Sequence, residues 1–314
     1  MDLSILTRIN KNNSKRENNI KEKNISERRA YDKFWSIMFL VSSTIGMSAV
    51  ILISVFIIKQ GLPMFREVSV KDFLLRTTWK PSSSIPHYGV LSFIVASVEV
   101  TGLALLFALP ISLSTAIYLS EMASKRSANI IRNAVEIMQG IPSVIYGLFG
   151  IALIVPIIRR LFGGNGYSIL SASIILAIMI MPTLINVSEV SIHQVSQDLR
   201  LASLALGGNE NQTITKVVLP SVKSGIIVSI VLSLGRAIGE TTAVLLVAGN
   251  APLFPRTLTS MGRTLTMNIV TDMSYAEGTH MNALFATALL LYVFIMLLNS
   301  VVICITHKSR KGLK

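Results

Sequence analysis

Charge is what this 314-residue sequence has little of. Only 14% of it is Asp, Glu, Lys or Arg, where soluble domains carry about 25%. With 51% hydrophobic residues and a mean hydropathy of +0.61, a soluble domain is excluded and an integral membrane protein is implied. Cysteine is nearly absent. The single Cys304 lies in the last apolar run, so an internal disulfide or a thiolate metal cluster is excluded. The four histidines, His87, His193, His280 and His307, are scattered over connecting segments, and a shared metal site is not expected. No G-x-x-x-x-G-K-[ST] loop occurs to cradle a nucleotide, and no H-E-x-x-H, G-x-S-x-G or C-x-x-C. A membrane-embedded enzyme is therefore disfavoured, and any ATP-driven reading needs a separate ATPase subunit.

The net charge is +13. In a soluble chain that would raise nucleic acid as a partner. Here the basic residues sit at the N-terminus, in short loops and in the tail from His307, a distribution that orients a membrane protein. No nucleic-acid partner and no cofactor is expected. With the N-terminus inside, the cytoplasmic segments 1–33, 120–133, 188–221 and 306–314 hold eighteen Lys and Arg against nine in segments 59–88, 159–166 and 249–281. Both termini are expected in the cytoplasm.

Residues 1–33 are polar and lack apolar periodicity, as in a flexible or loosely helical tail. No cleavable leader is expected, because the first apolar run starts only at Phe34 and is long enough to span. Six runs near 20 residues follow, about Phe34–Ile58, Gly89–Leu119, Ala134–Ile158, Tyr167–Val187, Val222–Ala248 and Asn282–Ile305. This predicts an all-α bundle of six transmembrane helices. It divides into a tail (1–33), a first helix with its loop (34–88), a five-helix core (89–305) and a basic tail (306–314). Pro110, Pro142 and Pro182 fall inside runs two to four and predict kinks, which suit a bundle with an internal path.

Within the fifth run stands Gly235-Arg236-Ala237-Ile238-Gly239-Glu240-Thr241-Thr242. A charge at bilayer depth costs about 2.5–3.5 kcal/mol on the lenient scale, so it needs a partner or a task. At i,i+4, Arg236 and Glu240 share a helix face and can neutralise each other. Thr241 and Thr242 extend the polar stripe. Two roles stand open, a substrate path or an ion pair that fixes helix packing. Glu99 lies near the outer end of the second run, with interfacial placement favoured over a path role. Glu136 falls near the inner end of the third. Gln139, Ser143 and Tyr146 bracket one face around Pro142 as path or interface residues. Gly225, Gly235 and Gly239 fit close helix approach.

Segment 188–221 is too long for a connector. Ser191–Leu206 has helical spacing, Gly207-Gly208 breaks it, and Glu210–Val218 can restart before Pro220. This is a helix–turn–helix of the kind that docks onto a partner.

Leu199-Arg200-Leu201-Ala202-Ser203-Leu204-Ala205-Leu206-Gly207, followed after nine residues by Val217-Val218-Leu219-Pro220, resembles the EAA loop of ABC-importer permeases. Leu201 stands where that pattern has glutamate, Ser203 where it has the second alanine and Val217 where it has isoleucine. The glycine, its spacing and the Leu-Pro agree. Glu136 to Gly150 (EIMQGIPSVIYGLFG), the Arg236 run, Ala108-Leu109-Pro110-Ile111-Ser112 and Tyr118-Leu119-Ser120-Glu121 are similar to the phosphate permeases of the Pst importers, C type, over about residues 34–305. The resemblance implies the type I ABC-importer permease fold in the cell membrane. It also implies a second, A-type permease (PstA type), a cytoplasmic ATPase dimer (PstB type) and an external phosphate-binding protein (PstS type). The coupling helix would be about Asp198–Gly207, with Leu199, Arg200, Ala202, Ser203, Gly207, Leu219 and Pro220 in the ATPase-coupling loop. Arg236, with Thr241 and Thr242 as hydroxyl donors, would meet phosphate, and Glu240 would hold Arg236 in place. Permeases for sulfate or molybdate, and an ion-driven carrier, are the alternatives. The carrier would need more mid-membrane acids than Glu240.

Overall fold

A computed structural model describes the backbone of residues 3–311 and the side chains of residues 31–304. The side chains of the polar N-terminal segment up to residue 30 and of the basic tail 306–314 lie outside the described residues. The chain forms two units, residues up to Phe56 and from Ile57 onward. The first is the greater part of α1 (Leu3–Gly61). Its helix runs without interruption through residue 33, where the sequence pattern suggested a boundary. Its apolar side chains from Phe34 to Phe56 are nearly all exposed, as a bilayer-facing segment requires.

The second unit begins with two short helices, α2 (Met64–Glu67) and α3 (Val70–Leu75). A hairpin of β1 (Trp79–Lys80) and β2 (His87–Tyr88) follows, pairing Trp79 with Tyr88. These two-residue strands and an isolated bridge between Gly249 and Gly262 are the β-structure among the described residues. Helix α4 (Leu91–Ile117) continues past Pro110 and ends in a π-helical turn, Tyr118–Met122.

Helix α5 (Lys125–Gly140) was expected to open the third span, but it stands apart from it. Its residues Ala128, Ile131, Val135 and Met138 recur at helical spacing among Arg, Asn and Glu, an amphipathic pattern too polar to cross a bilayer. Ala128 and Val135 pack with Leu119 and Ile185. Ile141 precedes a proline and is therefore pushed to extended backbone, with φ −72° and ψ 125°. Pro142 thus breaks the chain where a kink was expected. The third span runs from α6 (Ser143–Phe149) through a π-helical turn into α7 (Val155–Phe162).

Helix α8 (Ile169–His193) runs through Pro182 and is the most buried of the spans. The helical spacing read over Ser191–Leu206 is interrupted at residues 194–196, so α9 (Gln197–Ala205) is a separate helix after α8. The restart at α10 (Glu210–Thr213) leads through a π-helical turn into α11 (Leu219–Ser221), which carries Pro220 in its first turn. There the path bends by 66° into α12 (Lys223–Gly239). The fifth apolar run is split, because α12 stops at Gly239 and α13 (Thr242–Ala248) follows a break. Helix α14 (Leu265–Asp272) precedes the last span, α15 (Gly278–Lys311). Among the described residues five helices are long and apolar enough to cross a membrane, six with the bent pair.

The main core lies between α4, α6, α8 and α13, around Ala104, Ile175, Ile180 and Val247. A second core at one end gathers Phe73, Trp79, Tyr88, Phe93 and Leu284. Gly225 on α12 touches Ser191 on α8 where any Cβ would collide, so the close approach read from the sequence holds there. At Gly235 and Gly239 a Cβ would meet nothing within 4 Å. Their faces are open in this chain.

Candidate functional site

The polar run of the fifth span sits at a helix break. Helix α12 ends at Gly239, and Glu240 is extended at φ −69° and ψ 124°. Arg236 is in the last turn of α12, where a cation complements the helix dipole. The i,i+4 pairing with Glu240 expected from the sequence does not form. Spacing puts two residues on one face only while the helix continues, and this helix ends between them. Arg236 instead donates to the Thr183 hydroxyl on α8 at 3.1 Å. Among the described residues no carboxylate lies within ion-pair distance of it. Glu240 turns forward and accepts from the Ala243 amide at 3.1 Å, satisfying a free N–H at the start of α13. Its own carbonyl accepts from the Thr266 hydroxyl at 3.3 Å.

The break at Pro142 is built in the same way. The Met138 carbonyl would take the N–H four residues on, but that residue is Pro142 and has none. The Tyr146 hydroxyl donates to it at 2.8 Å, so the freed carbonyl is satisfied within the bundle. Tyr146 is buried at 7% exposure. The segments after the two breaks pack on each other, with Gly147 against Leu246 and Gly150 against Val247.

Around these breaks Gln139, Arg236, Gly239 and Thr242 are exposed, while Ser143, Thr183, Glu240 and Thr241 are half-buried. Thr241 donates to the Gly239 carbonyl at 3.3 Å. Lipid does not tolerate this surface, so protein or water must face it. Thr183 is the member that sequence reading missed. It lies one residue after Pro182 as a single hydroxyl within the apolar stretch 174–185 of α8, and no local pattern marks it.

At the end of the bundle that carries segment 188–221, α9 closes with a Schellman motif. The Gly208 amide donates to the Ser203 carbonyl at 3.1 Å and the Gly207 amide to the Leu204 carbonyl at 2.9 Å. Gly207 is at φ +84°, a left-handed conformation that glycine adopts freely. Asn209 then caps α10 in a capping box with Gln212. The Ser203 hydroxyl meets that of Thr213 at 2.8 Å, which ties the two helices together. Leu199, Leu201, Leu204 and Leu206 are exposed, so α9 carries uncovered apolar side chains around its surface. Val218 and Val222 pack with Ala116, Ile192 and Val195, which anchors the Leu219-Pro220 end of the loop.

At the opposite end a buried polar network joins α14 to the hairpin. Asp272, 2% exposed, accepts from Trp79 at 2.9 Å, Arg263 at 3.0 Å and Tyr275 at 2.6 Å, with His280 at 3.3 Å. Burial pushes its carboxyl up. The hydrogen bonds from Tyr275 and Trp79 and the charges of Arg263 and His280 outweigh this and hold it below the ordinary value. The Tyr275 phenol is pushed up by burial, by that bond and by the carboxylate charge.

The family model for the binding-protein-dependent transport system inner membrane component matches residues 108–311. The chain is 33% identical over 299 residues to a probable ABC transporter permease, YqgH, of Bacillus subtilis, covering 91% of this chain and 97% of that one. It is 33% identical over 250 residues to the phosphate transport system permease PstC of Pasteurella multocida, covering 73% and 78%. Its fold is like that of a chain of the MetNI methionine ABC transporter in inward-facing form. That match has a TM-score of 0.51 and 17% identity, covering 69% of this chain and 94% of the other.

Proposed function

Since the chain belongs to the binding-protein-dependent transport system inner membrane components, and is thus the membrane permease subunit of an ABC importer, we propose that its cargo is inorganic phosphate and that Arg236 lines the path. The observation that carries this reading is a guanidinium within a membrane span, at a helix break, exposed in this chain and without an acidic partner among the described residues.

An anion entering a low-dielectric cavity must exchange its hydration shell for fixed donors. A guanidinium offers paired N–H groups at the spacing of phosphate oxygens and stays charged. The Thr183 hydroxyl holds one Arg236 nitrogen at 3.1 Å, which orients the fork and leaves its other donors for cargo. Thr242 adds an exposed hydroxyl one residue past the break. Glu240 braces the start of α13, so its carboxylate does not neutralise Arg236 but lies beside the path and keeps anion binding weak enough for release. The exposed face is covered by a second permease of the A type, and the path runs between the two. An external phosphate-binding protein delivers the anion, and α9 docks in a cleft of a cytoplasmic ATPase dimer. Both termini lie on the ATPase side.

The deciding experiment is uptake of radiolabelled phosphate by cells that lack their own high-affinity importer and carry this chain with its partners. Arg236→Ala makes one fewer hydrogen bond and leaves no buried charge, so the complex should assemble. Loss of charge-assisted bonds worth about 1.5–3 kcal/mol each should lower uptake by about tenfold or more. Excess sulfate should not compete. Normal uptake in the variant removes Arg236 from the path, and suppression by sulfate moves the cargo to another oxyanion.

A further inference from the structure

Arg200 lies on the docking helix α9, yet it points back into its own chain. Its Nε donates to Glu121 Oε2 at 3.1 Å and one terminal nitrogen to Glu121 Oε1 at 2.7 Å. That same nitrogen donates to the Ile192 carbonyl at 3.1 Å, and the other to the Val195 carbonyl. All three guanidinium nitrogens are engaged. One carbonyl, Ile192, belongs to the last turn of α8, where the helix leaves backbone acceptors over, and the other, Val195, lies two residues beyond its end. Glu121 belongs to the π-helical turn that ends α4. One side chain therefore joins α9 to the ends of α4 and α8, the two helices at the centre of the core. The pair is shielded, with the side chains 22% and 10% exposed. Ser120 on the same turn meets His193 of α8 at 3.1 Å. The opposite face of α9, with Asp198, Leu201, Ala202 and Ala205, stays open.

We propose that Arg200 is the positioning strut of energy coupling. It makes α9 move as one body with the ends of α4 and α8, so that a displacement imposed on the open face of α9 reaches the helices of the path. The strut rests on the reading of α9 as the ATPase-docking helix. Its geometry explains why arginine stands there. A lysine can reach Glu121, but as a single point charge it cannot span the carboxylate and the Ile192 and Val195 carbonyls together.

The test uses the full complex reconstituted in vesicles with its ATPase and binding protein. Phosphate moved per ATP hydrolysed should fall in Arg200→Ala and in Glu121→Gln by about five- to a hundredfold, the usual range of coupling between linked sites. Arg200→Lys should lie between these variants and wild type, and the double variant should be no worse than either single one. In parallel, spin labels at Val190→Cys on α8 and Asn211→Cys on α10, with Cys304→Ser, report the distance between the bundle end and the docking loop. That distance should be narrowly distributed in wild type and broad in both variants. Unchanged stoichiometry in assembled variants, or an unchanged distance distribution, overturns the strut. A wild-type complex that hydrolyses ATP without moving phosphate refutes the phosphate reading, and the spin-label distances then still decide the strut. Glu121→Gln keeps the size of the side chain, so it reads the interaction even if Arg200→Ala assembles poorly.

Discussion

Replacing Asp272 by Asn changes one oxygen to an amide and nothing in size. Each carboxylate oxygen faces two groups, Arg263 and Tyr275 on one side, Trp79 and His280 on the other. Whichever way the amide turns, its NH2 meets donors, and Arg263 loses its counter-charge at 8% exposure. Removing one partner of a buried ion pair costs about 3–5 kcal/mol. The network also joins residues 193 positions apart, so its loss frees the hairpin from α14. The measurement is thermal unfolding of the detergent-purified protein, followed by tryptophan emission with Trp35→Phe so that Trp79 alone reports. Melting should fall by several degrees and the Trp79 emission should shift. The pH dependence has a definite sign. The folded carboxyl titrates below the ordinary aspartate value, so its stabilisation is complete above that ordinary value and lost as pH falls through the depressed one. The acid limb of the wild-type melting profile should therefore flatten in Asp272→Asn. A variant that melts with wild type at neutral pH and shows the same acid limb would refute the idea that this network holds the end of the bundle.

Arg236→Lys should retain charge but lose the planar fork, and phosphate uptake should stay well below wild type; full uptake would show that charge alone suffices. Gly207→Trp places a side chain at φ +84°, at a conformational cost of about 1–2 kcal/mol, and disturbs the turn that presents α9. ATP hydrolysis should then run without proportional transport, and unchanged coupling would count against the docking assignment. Gly225→Leu collides with Ser191 and should cost about 1–3 kcal/mol by overpacking, read as a lower melting temperature. Gly235→Ala points into open space and should melt as wild type does.

The spans were legible because hydropathy is a local sum. A run of 20 apolar residues is long enough to cross a bilayer whatever surrounds it, and the matched runs agree with the helices within a few residues at most ends. The exceptions have local causes seen in hindsight. Polar residues at helical spacing mark 125–140 as a surface helix, and Ile141 before Pro142 marks a break. The turn in segment 188–221 was also readable, since Gly207-Gly208 and the Asn209–Gln212 box are punctuation written in adjacent residues. The candidate site was read in half. Its residues were found by their cost in lipid, which depends only on residue type and run. Their pairing was not, because the i,i+4 rule presumes an unbroken helix.

By itself the sequence determined a membrane-embedded helical chain, the places where charge must be accommodated and the helix–turn–helix punctuation of segment 188–221. Those follow from composition, period and chain-local stereochemistry. The tertiary structure alone decided that Arg236 faces Thr183 and open space, that Glu240 caps the next half-helix, and that Arg200 reaches Glu121 across 79 positions. Such contacts depend on how helices distant in the chain are brought together, and no local spacing encodes that.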